Sequence, residues 1–445
     1  MNLQSLLGSS FECRCGSKHV VGVREFRYHQ DVIGTLPEII RAVLPGQTNK
    51  KVTVVSDIRT NKICGRRVYE SLSVGGFDVA EIIVPDTDGR SPICDDVTCG
   101  KLKEKIVSVS PDITVAVGSG TINDLCKWSS FELGLPYIVI ATAASMNGYA
   151  AMNVAAKING VKVVMEAKPP LAVLAEPQVI ENAPFEMTAA GFGDTVAKSQ
   201  SNADWLMNNY LFSENFCDYC VEVLSSLEAF YLNKPQDIKN TKSDAVKGLF
   251  EALFWTGIVM TMVGSSAPAS GGEHLLSHTL DMIADMRGQK HNLHGAQVAL
   301  GTIISAALYE ELLKIDRPTF RDMPEEINYK LWSDSAVAES VVKQYKAKKQ
   351  QLDIVRSKLS QQGEWERLKI KLRAIVRNPQ KIRDCLKEAG AACTISDLNL
   401  SREQITEIVS HMHEIRKRFT VVDLAWLTGI LPSKTDEIID KWLSD

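Results

Sequence analysis

The sequence predicts an α/β N-terminal domain with a mostly parallel sheet, followed by an all-α C-terminal domain. Three observations carry this. Apolar runs of strand length recur through the first ~180 residues, separated by helix-length polar stretches: KVTVVSD (51–57), FDVAEIIVPD (77–86), DITVAVGSG (112–120) and LPYIVIATAAS (135–145). Runs that are apolar throughout belong to strands covered on both faces, and their alternation with helices argues for βαβ units. LPEIIRAVLP (36–45) and TINDLCKWSSFEL (121–133) have helical apolar spacing and supply covering helices. After about residue 185 no strand run of comparable strength appears, and long helical patterns follow. The boundary is placed at 183/184, giving domains 1–183 and 184–445. VKVVMEA (161–167) and LAVLAEP (171–177) read as a late hairpin or extended pair.

Length and composition agree. At roughly 100–200 residues per domain, 445 residues hold two or three domains. A 45% hydrophobic, 23% charged chain is neither disordered nor fibrous. The charge sum, 50 − 54 = −4, gives no case for nucleic acid or a membrane surface as partner. No apolar run reaches the ~18 residues of a spanning helix, and the start lacks a basic segment followed by a long apolar one. Ten scattered cysteines are too sparse for a disulfide scaffold, so reduced thiols and a cytoplasmic location are expected. Residues 343–388 hold 14 Lys/Arg against 5 Asp/Glu, a net +9, and read as a solvated helical hairpin.

Chemistry concentrates at three places. Gly118-Ser119-Gly120-Thr121 follows a strand and opens a helix. Glycine lets backbone approach a pyrophosphate, the helix N-terminus offers free N–H donors, and Thr121 can cap it. Asp57 closes an earlier strand, where a carboxylate can accept from a ribose hydroxyl. Thr142-Ala-Ala-Ser145 lies just past another strand, where ligands sit in open α/β sheets. A scattered set, Asp194, His274 and His294, offers a carboxylate and two imidazoles for a divalent ion. His278, four residues after His274, shares its helix face, so spacing alone leaves both as candidate ligands. Lys198, one turn after Asp194, is either an exposed lysine or support for an anionic substrate. Cys13-x-Cys15 with His19 looks metal-like, but two cysteines one residue apart with no second pair do not make a closed site. Cys217-x-x-Cys220 falls in a helical pattern without a redox context.

VAVGSGTINDLCK, IATAASMNGYAA, AAGFGDTVAKSQSNADW, SSAPASGGEHLLSH and NLHGAQVALGT occur in this order. Together with an N-terminal C-x-C-G-x-x-H segment and a late RKRFTVVDLAWLTGIL, they resemble the sn-glycerol-1-phosphate dehydrogenase family, particularly its bacterial branch. That family sits within the group of iron-type alcohol dehydrogenases, glycerol dehydrogenases and dehydroquinate synthases. The resemblance implies a Rossmann-like NAD(P)-binding domain joined to an all-α metal-binding domain, an NAD(P)H-linked oxidoreductase with one divalent metal ion, zinc or nickel, and an active site in the cleft between the domains. It implies that Asp194, His274 and His294 hold the metal and that His278 faces substrate and moves the proton. It further implies that Gly118, Ser119, Gly120 and Thr121 contact the cofactor phosphates. Thr142 and Ser145 would line the nicotinamide side, with Asp57 on the adenosine ribose. The implied substrate is a small phosphorylated hydroxyketone such as dihydroxyacetone phosphate, and the implied assembly a homo-oligomer, most simply a dimer. Three positions depart from the pattern. Asn147 and Ala151 replace the Asp and final Ser of S-M-D-G-Y-A-S, and Ala267 replaces the Arg of S-R-P-A-S-G. Losing that Arg can remove a bidentate phosphate partner. Three alternatives stay open: a phosphonate or non-phosphorylated ketone substrate, a dehydroquinate-synthase-type lyase using NAD transiently, and a non-catalytic relative. Asp57 repels a 2′-phosphate, which favours NAD, while Arg59 can offset that.

Overall fold

The computed structural model describes residues 2–46, 50–87, 89, 91–158 and 161–444. The chain forms two compact units: Met1–Gly191 with Glu222–Ser265, and Phe192–Val221 with Ser266–Asp445.

Among its described residues the first unit contains ten strands: β1 (Ser10–Glu12), β2 (Lys18–Val20), β3 (Glu25–Tyr28), β4 (Lys51–Asp57), β5 (Asp78–Val84), β6 (Ile113–Gly118), β7 (Tyr137–Ala141), β8 (Asn153–Ile158), β9 (Val161–Glu166) and β10 (Ala172–Ala175). Six of them form a sheet in the order β3-β10-β7-β6-β4-β5, and every pairing in it is parallel. β6, β7 and β10 are buried along their whole length, as strands covered on both faces must be. β5 lies at an edge, with Glu81 and Ile83 exposed and Ile82 and Val84 buried. Helices Leu36–Val43 and Gly120–Glu132 match the two helical patterns of the sequence. Val52, Val54, Val115, Val117, Ile138 and Ile140 form one buried core with Leu36, Ile40, Val68 and Leu72.

The chain runs from β4 outward to β5, then returns to place β6 on the other flank of β4. The carboxyl ends of β4 and β6 therefore bracket a topological switch point, where α/β sheets leave a crevice for ligands.

Residues 161–177 differ from expectation. β9 pairs antiparallel with β8, while β10 inserts between β3 and β7 in the main sheet. The sequence hid both partners. β8 (NVAAKI) is weakly apolar, and β3 (EFRY) is four residues with two charges. Neither run shows strand character until its neighbour supplies the hydrogen bonds.

The second unit is helical among its described residues. The expectation of no membrane-length apolar segment also needs correction. Helices Ser243–Val263 and His294–Lys314 are each 21 residues long and apolar enough by composition to cross a bilayer. Their interspersed Gly, Ser and Thr concealed this in the sequence. Each is 78% buried over its most apolar stretch, as a core helix is.

The basic run is not solvated throughout. Lys348, on the helix Ser335–Leu359, is buried; its Nζ lies 2.9 Å from the buried Asp423 Oδ1 and donates to the carbonyls of His413 and Ile415. Lys369 is buried too, donating to the carbonyl of Ile315 at 2.9 Å.

Candidate active site

Three helices bring together residues of the second unit that stand 20 to 100 positions apart in the chain. Asp194 stands near the end of Phe185–Val196, His274 is the second residue of Glu273–Met286, and His294 opens His294–Lys314. One ligand atom from each lies within 4.8 Å of the others. Two glycines permit this convergence. A Cβ at Gly193 would stand 2.4 Å from the carbonyl oxygen of Gly295, and one at Gly301 would stand 2.1 Å from that of Glu273. Each glycine thus sits where one ligand-bearing helix meets another. Gly301→Ala should lower stability by about 3 kcal/mol, because backbone must move to admit the methyl group. The same shift should spread the ligands, so a urea unfolding midpoint and the metal content should fall together.

The imidazoles are oriented by their neighbours. His274 Nδ1 lies 2.8 Å from Glu273 Oε1, and a carboxylate accepts, so Nδ1 carries the proton. His294 Nδ1 lies 2.9 Å from Ser277 Oγ, whose hydroxyl donates to Gln297 Oε1 at 2.7 Å and so accepts from the ring. Gln297 in turn donates to Asp281 at 2.9 Å. In both rings Nε2 is left with the lone pair a metal needs, the arrangement that orients ligating histidines generally. His274 Nε2 is 3.9 Å from Asp194 Oδ1. Burial first, and the neighbouring His294 second, push His274 well below the usual imidazole range, favouring the neutral form that ligates. Burial pushes Glu273 up to about 7. A hard carboxylate with two imidazoles suits a divalent first-row cation and leaves coordination positions for substrate oxygen.

Lys198 is buried rather than exposed. Its Nζ donates to the Asp194 carbonyl at 2.7 Å and lies 3.6 Å from Oδ1. His278 is half-buried, with its ring centroid 6.1 Å from that of His274 and 6.4 Å from that of His294. It stands beside the three-residue cluster and is not a member of it.

Sequence reasoning missed several residues here. Glu273, Ser277 and Gln297 act only through the histidines they orient, and their adjacency was the one available signal. Asp204 accepts from Gly272 N at 2.6 Å, Val421 N at 2.8 Å and the Tyr309 hydroxyl at 2.6 Å, fixing the turn that leads into His274. Burial raises it to about 8 against those three donors. Arg416 and Arg418 are half-buried and donate to Ser270, Arg416 to Oγ at 2.8 Å and Arg418 to the carbonyl at 3.0 Å. Burial, reinforced by Arg418, lowers Arg416 to about 10. The RKRF segment was visible in the sequence, but nothing there says it returns to the SSAPASGG loop.

His291 sits between Asp281 and Asp285, at 3.3 and 2.9 Å, and their hydrogen bonds raise it from 6.5 to about 9. Its stabilisation is fully present below about pH 6.5 and lost as pH rises through about 9. The side chain is 40% exposed, so solvent screening leaves about 1 kcal/mol. His291→Asn should flatten the decline in melting temperature across that interval; an unchanged decline would assign it elsewhere.

In the first unit, the residues expected to meet a cofactor line one rim of the sheet. β4 ends at Asp57, β6 ends at Gly118, and Thr142 follows β7, its N–H 3.3 Å from the Gly118 carbonyl. Gly118 has no room for a Cβ, which would stand 2.6 Å from that of Ile122. Ser119, Gly120, Thr121, Ser145 and Asn147 are partly accessible. Ser119, not Thr121, is the N-cap of Gly120–Glu132, and it forms no side-chain cap. The first N–H groups of that helix are thus left to a ligand or solvent, as an anion site requires. Asp57 Oδ1 caps the turn after β4, accepting from Arg59 N at 2.7 Å and Thr60 N at 2.8 Å; Oδ2 takes no hydrogen bond among the described residues. Arg59 is paired bidentately with Asp86, at 2.5 and 3.2 Å. The buried Lys127 donates to the carbonyls of Gly148 at 2.7 Å and Asn153 at 3.0 Å, holding the stretch that follows Asn147. These features fit a dinucleotide.

Residues 27–184 match the family model described as iron-containing alcohol dehydrogenase. Solved structures share the fold. One is glycerol dehydrogenase from Schizosaccharomyces pombe, with TM-score 0.58 and 15% identity over 94% of this chain and 91% of that one. Another is an archaeal halo-thermophilic alcohol dehydrogenase from a Red Sea brine pool, with TM-score 0.61 and 13% identity over 95% and 98%. Among curated relatives, glycerol-1-phosphate dehydrogenase [NAD(P)+] of Halalkalibacterium halodurans is 32% identical over 311 residues, covering 70% of this chain and 77% of the relative. The enzyme of the same name from Geobacillus stearothermophilus is 26% identical over 432 residues, covering 94% and 96%. The chain belongs to the glycerol-1-phosphate dehydrogenase family and is an NAD(P)-dependent alcohol dehydrogenase.

Proposed function

We propose that the chain interconverts dihydroxyacetone phosphate and sn-glycerol 1-phosphate with NAD(P)H, using one divalent ion, zinc or nickel, held by Asp194, His274 and His294. The observation that carries this reading is the three-residue cluster, in which both imidazoles present an oriented Nε2. When bound, the ion polarises the substrate carbonyl as a Lewis acid and the nicotinamide carries the hydride.

This chain's own residues do the rest. The rim at Asp57, Gly118–Thr121, Thr142 and Ser145 binds the dinucleotide, with the Gly120–Glu132 helix N-terminus on its phosphates. Asp57 Oδ2 takes the ribose, and Arg59, committed to Asp86, does not offset its repulsion of a 2′-phosphate. NAD is therefore favoured over NADP. His278, near neutral pH a competent proton carrier, protonates the oxygen of the reduced product. Lys198 holds Asp194 in place and adds positive charge beside it.

Arg416 is the proposed phosphate anchor. The Arg of S-R-P-A-S-G is Ala267 here, yet a guanidinium from residue 416 reaches Ser270 of the same loop. A charge-assisted fork on a phosphate dianion is a strong contact. Arg416→Met should raise KM for dihydroxyacetone phosphate by about a hundredfold, on the order of 3 kcal/mol, and leave KM for glycerol or dihydroxyacetone unchanged. The departures at Asn147 and Ala267 favour a second reading, the same reaction on a phosphonate or non-phosphorylated ketone. A ketone panel followed at the NADH absorbance decides. Dihydroxyacetone phosphate should be turned over best, and no turnover of it beside good turnover of an uncharged ketone would establish the second reading. The proposal carries with it a cytoplasmic enzyme acting as a homo-oligomer, most simply a dimer, without nucleic-acid or membrane partners.

A further inference from the structure

The N-terminal hairpin carries a ligand set that the dehydrogenase reaction does not use. β1 and β2 pair antiparallel, and the turn between them is CRCGS, residues 13–17. The turn is closed by backbone bonds, Cys13 N to the Ser17 carbonyl at 3.0 Å and Gly16 N to the Cys13 carbonyl at 2.9 Å. Gly16 has φ +83°, a left-handed conformation that side chains resist. This turn folds Cys13 and Cys15 back over β2, where His19 stands opposite Phe11. Cys13 Sγ, Cys15 Sγ and a His19 ring nitrogen all lie within 4.8 Å of one another.

His19 is oriented as a ligating histidine is. Its Nδ1 is 2.7 Å from the carbonyl oxygen of Met262, near the end of Ser243–Val263. A carbonyl only accepts, so Nδ1 carries the proton and Nε2 presents its lone pair. Nε2 lies 3.5 Å from Cys15 Sγ. Zinc bonds of about 2.3 Å to sulfur and about 2.0–2.1 Å to nitrogen, at the tetrahedral angle, put those atoms roughly 3.5 Å apart.

We propose that Cys13, Cys15 and His19 bind a structural zinc ion, separate from the Asp194 cluster and independent of the reading of that cluster. Thiolates with imidazole select zinc among the common divalent ions, where a carboxylate-rich set does not. Binding deprotonates both thiols, the two protons leaving to solvent, so the ion is held more tightly as pH rises toward neutrality. The fourth position is filled by a further thiolate or by water. The ion fixes the hairpin turn and, through His19, ties it to the carbonyl of Met262.

The test uses the purified full-length protein. Elemental analysis should give one more zinc per chain for wild type than for Cys13→Ser/Cys15→Ser. Cobalt reconstitution of the wild-type protein is the second measurement, independent of whether that variant folds. It should give the intense near-ultraviolet sulfur-to-cobalt charge-transfer absorption that a site of one carboxylate and two imidazoles cannot produce, its strength counting the thiolates. Zinc should also slow alkylation of Cys13 and Cys15 by about tenfold or more relative to chelator-treated protein. Equal zinc in wild type and a folded double variant would overturn the proposal. So would cobalt binding without charge-transfer absorption, alkylation indifferent to zinc, or a Cys13–Cys15 disulfide in reduced preparations.

Discussion

Asp194→Ala should yield a folded protein that binds no metal at the Asp194–His274–His294 site and has lost at least about a thousandfold in kcat/KM, on the order of 4 kcal/mol of transition-state stabilisation. The fold should survive because the link between its two neighbouring helices does not depend on the carboxylate. Lys198 donates to the backbone carbonyl of residue 194, which alanine retains. The activity should not survive, because Asp194 is the only anionic member of the ligand set. Without it two neutral imidazoles must hold the cation, while Lys198 and Arg416 repel it. Asp194→Asn separates charge from shape: it keeps the volume and one oxygen, and should lose nearly as much. Metal content, circular dichroism and turnover on the same preparations check this. Full turnover in metal-free Asp194→Ala would remove the cluster from the mechanism.

The second large effect is on stability. Lys348→Met should cost about 3–5 kcal/mol, because it leaves the buried Asp423 carboxylate without its counter-ion. It also removes the donor to the carbonyls of His413 and Ile415, just before the residues that bring Arg416 to Ser270. Burial lowers Lys348 and raises Asp423 from their ordinary ranges, so the pair is held together against a desolvation penalty on both sides. The double variant Lys348→Met/Asp423→Asn should recover most of the loss, since asparagine needs no counter-ion and can still accept from Thr420, as Asp423 does at 2.8 and 2.9 Å. Urea unfolding midpoints of the four proteins form the cycle. Additive losses in the double variant would show that the two side chains do not act as a pair.

Much of the first unit was legible because its signals are local. The runs at β4, β6 and β7 are apolar on both faces, and only a covered sheet accommodates that. Gly118 and Gly120 mark a strand–helix turn by what they lack. The rim expected to meet a cofactor follows from these, since all of its members fall within a few residues of strand ends. The late strands were not legible: β3 and β8 are short and partly polar, and their partners are chosen by contacts across more than a hundred residues or by a turn.

For the metal cluster, the amino-acid order determined the ligand types and nothing about their meeting. Asp194, His274 and His294 were recognisable as candidates through the motifs around them. Their convergence, and the separation of His278 from them, depend on helix packing at Gly193 and Gly301, where backbone approaches backbone. The sequence by itself settled the layering of strands and helices, because hydrophobic period and glycine position act through neighbouring residues. Only the tertiary structure decided which nitrogen of each histidine is held by a neighbouring side chain, that Lys198 and Lys348 are buried, and that Arg416 reaches Ser270. Those outcomes rest on hydrogen bonds and ion pairs between distant segments, whose strength comes from the desolvation that folding alone creates.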